Sequence, residues 1–146
     1  MTQGNLSEID LVQQIAQLNL AITNHINNVL APFEVNSSNY FYVMKIGANP
    51  GISQHDFNQL VHLNPSSITR AVNQLIKKGL VRKSTSPVDK RVTQLFLTEE
   101  GSTINRGIER HINHLNASLL TELEPDQKRA YQTVIQLRQL IEHKPE

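Results

Sequence analysis

The sequence predicts a mainly α fold of the α+β class, in which long helices at both ends flank a compact centre that closes with a β-hairpin. Apolar residues recur at three- and four-residue steps over residues 6–33 and 98–143, as on one face of an amphipathic helix. Two short helical segments joined by a tight turn occupy the middle of the chain. Alternating stretches at residues 80–84 and 92–97 then predict two paired strands.

Length and composition bound the class of protein. The 146 residues suit one domain, predicted to span residues 1–146, and 38% hydrophobic with 18% charged residues is typical of a globular chain. Cysteine is absent, which excludes disulfides, thiol nucleophiles and cysteine zinc sites. Residues 1–30 lack a basic leader, and no stretch reaches the ~18–20 apolar residues of a membrane span. We therefore expect a cytoplasmic protein with no membrane partner.

The first two helices are predicted from apolar spacing and from their ends. The first covers residues 6–33 and is ended by Pro32 and the polar stretch that follows it. Ser37 or Ser38 is predicted to cap a second helix through the segment YFYVMKIGA. Asn-Pro-Gly at residues 49–51 then predicts a turn.

The next two helices form a predicted helix-turn-helix. Ser53 opens the first of them, with Asp56 three residues later as in a capping box. Asn64 suits the N-cap of the second, Pro65 its first position and Gly79 the residue after its end. The side chains predicted to face the core from this second helix, residues 65–78, are Ile68, Val72, Leu75 and Ile76. Two short helices of this kind, the second with a polar face, are typical of DNA-binding domains.

The hairpin after Gly79 carries a basic loop. The loop sequence TSPVDKR is too long for a tight turn, so we interpret it as a projecting wing and residues 36–97 as a winged helix-turn-helix region. Beyond it, one helix starts at Thr98 and is broken by Pro125, and a last helix covers residues 126–143.

The terminal helices, residues 6–33 and 98–143, are predicted to form a dimer interface. Their long apolar stripes have little to pack against within one chain because the central core is small. Burial of apolar area is the dominant favourable term, at roughly 25 cal/mol per Å², so a second copy of the chain is the simplest partner. A monomeric helical subdomain is the alternative.

The net charge of +1 conceals an uneven distribution. Residues 65–95 carry a net charge of +6, and the rest of the chain carries −5. A basic block within an otherwise acidic protein indicates a polyanion partner. A basic surface that is merely solvated is the alternative.

Four stretches of the chain resemble one known family. They are NPGISQHDFNQLVHLNPSSITRAVNQLIKKGLV, SPVDKR, LFLTEEG and LEPDQ. In them the chain resembles the MarR family of winged-helix transcriptional regulators, nearer its SlyA-like branch, with Asp89 and Arg91 at the fixed positions of the wing. The resemblance implies a sequence-specific regulator, a repressor, that binds double-stranded DNA at a pseudo-palindromic operator as a homodimer. It also implies release by small phenolic or anionic ligands. No cofactor and no catalytic activity are expected, because the sequence has no Ser-His-Asp, P-loop or GxGxxG pattern.

The helix at residues 65–78 is predicted to enter the major groove, which is wide enough for one helix. Arg70 suits guanine and Asn73 suits adenine, while the other polar side chains suit phosphates or bases. In the wing, Arg91 is predicted to insert into the minor groove and Asp89 to orient an arginine. The full predicted set of DNA contacts is Ser53, Ser66, Ser67, Thr69, Arg70, Asn73, Lys77, Arg82, Lys83, Asp89, Lys90 and Arg91.

Two other functions and one further site are considered. A metal-responsive regulator would use His111 and His114, with Glu109 close by. Zinc usually needs three or four ligands, and the sequence has no HExxH motif and no cysteine pair. The resemblance places the ligand positions of zinc-sensing relatives at Ile108 and Ile112, so no metal site is predicted. A helical protein-interaction module without DNA binding would leave the basic wing without a purpose. A ligand pocket is expected where the first, second and fifth helices meet the winged region. Its weak candidates, which core or surface roles would also explain, are His25, Tyr40, Met44 and His62.

Overall fold

A computed structural model of the chain describes residues 9–145. The helices are α1 (Leu11–Leu30), α2 (Tyr40–Ala48), α3 (Gln54–Val61), α4 (Pro65–Lys77), α5 (Glu99–Glu122) and α6 (Gln127–Glu142). The strands are β1 (Ile52–Ser53), β2 (Val81–Thr85) and β3 (Thr93–Leu97). The chain divides into two compact units, one up to Glu109 and one from Arg110 onward. The predicted mainly α, winged helix-turn-helix fold is confirmed.

The first helix is shorter than predicted. Residues 6–8 of the predicted helix lie outside the described part, and the helix begins at Leu11, where Asp10 accepts a hydrogen bond from the backbone N–H of Gln13 at 3.0 Å. It ends at Leu30 and passes into a short 3-10 turn, Ala31–Phe33. Pro32 explains the change, because proline has no N–H to continue the α-helical hydrogen bonds.

The prediction that Ser37 or Ser38 caps α2 is wrong. The helix begins at Tyr40 and its N-cap position is Asn39. The preceding turn is closed by asparagine side chains instead: Asn39 Oδ1 accepts from the N–H of Asn36 at 2.9 Å, and Asn36 Oδ1 accepts from that of Ser38 at 2.8 Å. Asparagine amides bond readily to nearby backbone, which moves the start of the helix past both serines.

The predicted ends of the helix-turn-helix are confirmed. Ser53 Oγ accepts from the N–H of Asp56 at 3.0 Å, and Asn64 Oδ1 accepts from that of Ser66 at 2.9 Å. Gly79 follows α4 with φ +76°, a conformation that favours glycine. Side chains from α1–α5, β2 and β3, together with Leu80 just before β2, form most of the core of the first unit. They are Ile26, Leu30, Val43, Ile46, Phe57, Ile68, Val72, Leu75, Leu80, Val81, Leu95 and Ile108.

The sheet has a third strand that the sequence did not predict. Its order is β1-β3-β2, with antiparallel pairing that places Ile52 opposite Leu95 and Val81 opposite Leu97. Strand β1 has two residues, too few for alternation to show. The predicted strands at 80–84 and 92–97 are each shifted at their starts by one residue.

The start of α5 is fixed against the turn that follows α4. Thr98 Oγ1 donates to the carbonyl of Gly79 at 2.6 Å and accepts from the N–H of Gly101 at 3.0 Å. The N–H of Thr98 donates to the carbonyl of Leu80 at 3.0 Å. A Cβ on Gly101 would overlap that same Leu80 carbonyl oxygen, so the close approach requires glycine.

The second unit holds the end of α5 and all of α6. The last helix begins at Gln127 and ends at Glu142, within one residue of prediction at each end. Within this unit the apolar stripes leave much surface exposed, including the large side chains Leu119, Leu120, Leu123, Tyr131, Val134, Leu140 and Ile141.

We expect Gly101→Ala to lower the free energy of unfolding by about 2 kcal/mol, because overpacking against backbone costs roughly 1–3 kcal/mol. The loss should occur although alanine is the better helix former. Urea unfolding at a fixed protein concentration measures it. Thr103→Ala, on an exposed part of the same helix, should change stability by less than about 0.5 kcal/mol. Equal stability of both variants would contradict the proposed close contact.

Candidate nucleic-acid interface

One face of α4 is polar, basic and open to solvent. The opposite face is fully buried through Ile68, Val72 and Leu75. The open face lines a shallow depression along the helix, formed by Pro65, Ser66, Thr69, Arg70, Asn73, Gln74 and Lys77. This separation of faces follows from apolar residues spaced three and four apart, which places every polar group on the other side.

The beginning of α4 is suited to an anion. Asn64 satisfies the N–H of Ser66, while both Ser66 and Ser67 are exposed beside the positive end of the helix dipole. Ser53 occupies a different position: its half-buried hydroxyl caps α3. Capping uses that oxygen as an acceptor, and the hydroxyl still has one hydrogen to donate.

Strand β2 is joined to the exposed face of α4 by a lysine. Lys83 Nζ donates to Asn73 Oδ1 at 3.3 Å. The amide oxygen has a second lone pair and the amide nitrogen has two hydrogens, so Asn73 keeps the groups that pairing with adenine requires. Lys83, predicted as a phosphate contact, thus also positions the side chain predicted to read a base.

A second basic side chain of β2 is held by an aromatic ring. The guanidinium carbon of Arg82 lies 4.3 Å from the centroid of the Phe96 ring, and the two residues are opposite each other in the β2–β3 pair. A cation over an aromatic face is stabilised by the ring quadrupole. Arg82 is exposed, so its charge still contributes to the basic surface.

The wing, residues 85–91, is an ordered turn organised by Ser86. The Ser86 hydroxyl oxygen accepts from the N–H of Val88 at 3.2 Å and from that of Asp89 at 3.4 Å. The N–H of Ser86 donates to the carbonyl of Val92 at 2.9 Å, and the N–H of Val92 donates to that of Asp89 at 3.0 Å. These hydrogen bonds restrain the backbone conformation of the wing.

Asp89 orients Arg91 by two parallel bonds. Arg91 Nε donates to Asp89 Oδ1 at 3.1 Å and Arg91 Nη2 to Oδ2 at 3.2 Å, while the Arg91 N–H donates to Oδ1 at 3.0 Å. The side-chain bond from Arg91, and then the backbone bond, lower the pKa of Asp89 below its ordinary value. The Arg91 side chain remains 91% exposed. Asp89 therefore orients an arginine, as predicted, and the Arg91 guanidinium remains exposed to solvent.

Sequence reasoning missed three contributors to this surface. Ser86 organises the wing, and a serine before proline in a loop is a known turn signal. Val88, at 96% exposure, places an apolar side chain on the wing. Gln74 joins the exposed face of α4, and its position one helical turn after Arg70 could have indicated it.

The four weak ligand candidates lie on three different parts of the chain. His25 and His62 are exposed, and Tyr40 and Met44 are half-buried on α2, where burial raises the pKa of Tyr40. A cavity of about 340 Å³ lies in the first unit between α2, β3 and the start of α5, and none of the four side chains lines it. Their role in ligand binding stays a prediction.

Neither a metal cluster nor a membrane-spanning helix is found in the part of the chain that the structure describes. Over residues 9–145 no three histidine, aspartate or glutamate side chains come together as a metal ion would require. Among the helices of that same range, none has the length and apolar character needed to cross a bilayer.

The chain is similar to known transcriptional regulators in sequence. A model of the MarR family matches residues 35–93. The uncharacterized HTH-type transcriptional regulator YybA of Bacillus subtilis is 23% identical over 119 residues, which cover 82% of this chain and 79% of that protein.

Two solved structures share the fold. The PcaV transcriptional regulator of Streptomyces coelicolor, in complex with its natural ligand, is 26% identical, with 98% of this chain and 99% of that one covered and a TM-score of 0.76. A mutant MarR from E. coli in complex with operator DNA is 21% identical, with 90% and 96% covered and a TM-score of 0.74. At that identity the second likeness concerns the fold alone.

The Asp89–Arg91 pair makes a testable prediction about titration. A carboxylate whose pKa is lowered on folding stabilises the folded state above the ordinary carboxyl range, and the contribution is lost as the pH falls through the lowered pKa. We expect the Asp89 pKa to return toward its ordinary value in Arg91→Ala, measured by NMR of the carboxyl carbon. Lys90→Ala removes an adjacent charge without the bond and should leave most of the depression. An unchanged Asp89 pKa in Arg91→Ala would contradict the paired geometry.

Proposed function

Because this chain belongs to the MarR family of transcriptional regulators, we propose that it binds double-stranded DNA sequence-specifically as a homodimer and represses the genes beside its operator. One observation carries the proposal: the exposed polar face of α4 and the Asp89–Arg91 pair of the wing belong to the same compact unit. The solved MarR in complex with operator DNA has this fold. Such a function requires no catalysis, and we place the protein with chromosomal DNA in the cytoplasm.

We propose that α4 enters the major groove. Arg70 is the candidate for guanine, since a guanidinium can donate to both acceptors on that base, and Asn73 the candidate for adenine. Ser66, Ser67, Thr69 and Lys77 would contact phosphates and fix the register of the helix. Lys83 supports this assignment by holding Asn73 at the exposed face.

The wing would contact the adjacent minor groove. Arg91 is held in a plane by Asp89 and is almost fully exposed, so it loses less conformational freedom on binding than an unrestrained arginine would. Narrow A·T-rich minor grooves attract such a side chain electrostatically. Lys90 and Arg82 lie on the same exposed hairpin and would add phosphate contacts.

Dimerisation is supported in each unit separately. The first half of α1 exposes Leu11, Val12, Ile15 and Leu18, at spacings typical of one helix face. The second unit exposes its own apolar side chains along α5 and α6. Exposed apolar helix faces of this extent suit an interface, and a second copy of the chain supplies the same faces in a two-fold arrangement. A two-fold dimer requires a pseudo-palindromic operator.

We further propose that a small phenolic or anionic ligand releases the protein from DNA. The support is the likeness to PcaV, which was solved with its natural ligand at 26% identity to this chain. His25, Tyr40, Met44 and His62 are the residues predicted to contact it. Single alanine variants at these positions, tested for retained DNA binding and lost ligand response, would assign them.

Selection of bound fragments from genomic DNA tests the function as a whole. We expect one enriched sequence with two inverted half-sites about one helical turn apart, ~34–36 Å, because each protomer presents one α4. The molar mass in solution should correspond to two chains. Absence of any enriched sequence at low salt would overturn the proposal.

We expect a steep dependence of DNA affinity on salt. If the dimer neutralises about six to ten phosphates, affinity should fall by about 10³–10⁵-fold between about 50 and 200 mM salt, since binding releases counterions. Fluorescence anisotropy with a labelled operator measures the slope. A flat response would be inconsistent with contact through the basic residues 65–95.

The Asp89→Asn variant distinguishes the orienting of Arg91 by Asp89 from the effect of net charge on DNA affinity. Removing a negative charge beside DNA should strengthen binding if only net charge matters. We instead expect roughly five-fold weaker binding, because the amide of asparagine keeps only one of the two acceptor oxygens that hold Arg91 and lacks the charge that strengthens both bonds. Asp126→Asn makes the same charge change outside the basic segment and serves as the control. Tighter binding by Asp89→Asn would contradict the positioning role.

Arg91→Ala should weaken operator binding by at least about ten-fold while the dimer stays folded, because the wing then lacks its minor-groove side chain. Anisotropy measures the affinity, and molar mass with circular dichroism verifies the fold. Unchanged affinity would remove the wing from the interface.

A further inference from the structure

The wing presents an apolar side chain that the chain itself does not cover. Val88 is 96% exposed, and the wing around it is basic through Lys90 and Arg91. The neighbouring backbone is fixed, since the Val88 N–H donates to Ser86 Oγ at 3.2 Å. Burying an exposed apolar side chain against a partner is favourable, because it removes apolar surface from water.

The surroundings of Val88 identify the partner. Arg91, at 91% exposure, projects from the same turn. Asp89 offsets one of the two positive charges of Lys90 and Arg91, and the net positive charge that remains complements a polyanion rather than an apolar protein surface. The minor groove of DNA offers both a negative potential and apolar C–H groups of the sugars that form its walls. Apolar side chains of several minor-groove proteins contact DNA there.

The chemistry of the minor groove makes such a contact selective. A·T and T·A pairs present only acceptor atoms there, whereas a G·C pair adds the guanine N2 amino group, which projects from the floor. A valine side chain has no acceptor for that amino group. Burying the group against Val88 would therefore leave a donor without a hydrogen bond.

We propose that Val88 is a specificity-determining residue that packs on the floor of the minor groove and excludes the guanine N2 amino group beneath the wing. The inference rests on the proposed DNA binding and adds a selective role to a residue outside the Asp89–Arg91 pair. Arg91 supplies attraction to the groove, and Val88 supplies discrimination between base pairs within it. The discrimination depends on the fixed backbone, because a mobile valine could turn away from the amino group.

Operators that differ in one group test the proposal directly. Three versions of the selected operator carry an A·T, a G·C or an inosine·C pair at the positions under the wing. Inosine lacks the N2 amino group but keeps the major-groove acceptors of guanine. We expect the G·C operator to bind at least about five-fold more weakly than the other two, the lower range for one unfavourable base pair.

Val88→Thr is the matched variant, because threonine has nearly the shape of valine and carries an acceptor for the amino group. It should bind the G·C and inosine·C operators within about two-fold of each other, because the amino group then has a partner. Val88→Ala should also lose discrimination, with weaker binding to the A·T operator. Lys90→Ala, the control on the same turn, should weaken binding to all three operators equally. At 96% exposure, changes at Val88 should leave the fold intact.

The outcomes separate this inference from the proposed function. Failure of the wild-type chain to bind any of the operators would overturn both. Binding with equal preference for inosine·C and G·C would overturn the role of Val88 alone. Unchanged discrimination in Val88→Thr and Val88→Ala would likewise overturn it, and loss of discrimination in those variants would support it.

Discussion

The contact between the start of α5 and the turn after α4 is the constraint on which the rest of the winged unit depends. Thr98 bonds to Gly79 and Leu80, and Gly101 brings helix backbone against the Leu80 carbonyl. That turn ends the helix with the exposed polar face and begins the strand that leads to the wing. One junction therefore links the end of α4, the beginning of the hairpin and the beginning of α5. Gly101 is needed there because a Cβ would overlap the Leu80 carbonyl, and Gly79 because its φ of +76° favours glycine.

The candidate nucleic-acid interface next to this junction is held by contacts within the chain itself. Ser86 fixes the backbone of the wing, Asp89 holds Arg91, Phe96 holds Arg82, and Lys83 bonds to Asn73. The last three contacts restrict side chains in the free protein, so these side chains have less conformational freedom to lose on binding. Ordering side chains at an interface costs about 0.5–1.5 kcal/mol each, so restriction in the free protein favours association. Arg82 and Lys83 keep their full charge because their partners, an aromatic ring and an amide, are neutral, whereas Arg91 is paired with the Asp89 carboxylate.

Much of the fold could be predicted because its signals are local. The capping by Ser53 and Asn64 and the positive φ of Gly79 each depend on a few neighbouring residues, and the buried side of α4 follows from periodicity. The failures have non-local or competing causes. Asparagine side chains closed the turn before α2, and β1 exists only because β3 lies beside it. The wing pair was anticipated from the resemblance, whereas the Lys83–Asn73 and Arg82–Phe96 contacts join residues distant in sequence and required the structure.

The bond between Lys83 and Asn73 also bears on how such a regulator acquires a new operator. The strand residue lies outside α4, yet it bonds to a side chain on the face that we propose to read bases. On that proposal, a change at position 83 would alter base preference while every residue of α4 stays the same. Related regulators could therefore differ in operator preference without any sequence difference in the helix that corresponds to α4. Two chains with identical residues 65–77 could then control different genes, so grouping family members by that helix alone would merge distinct regulons.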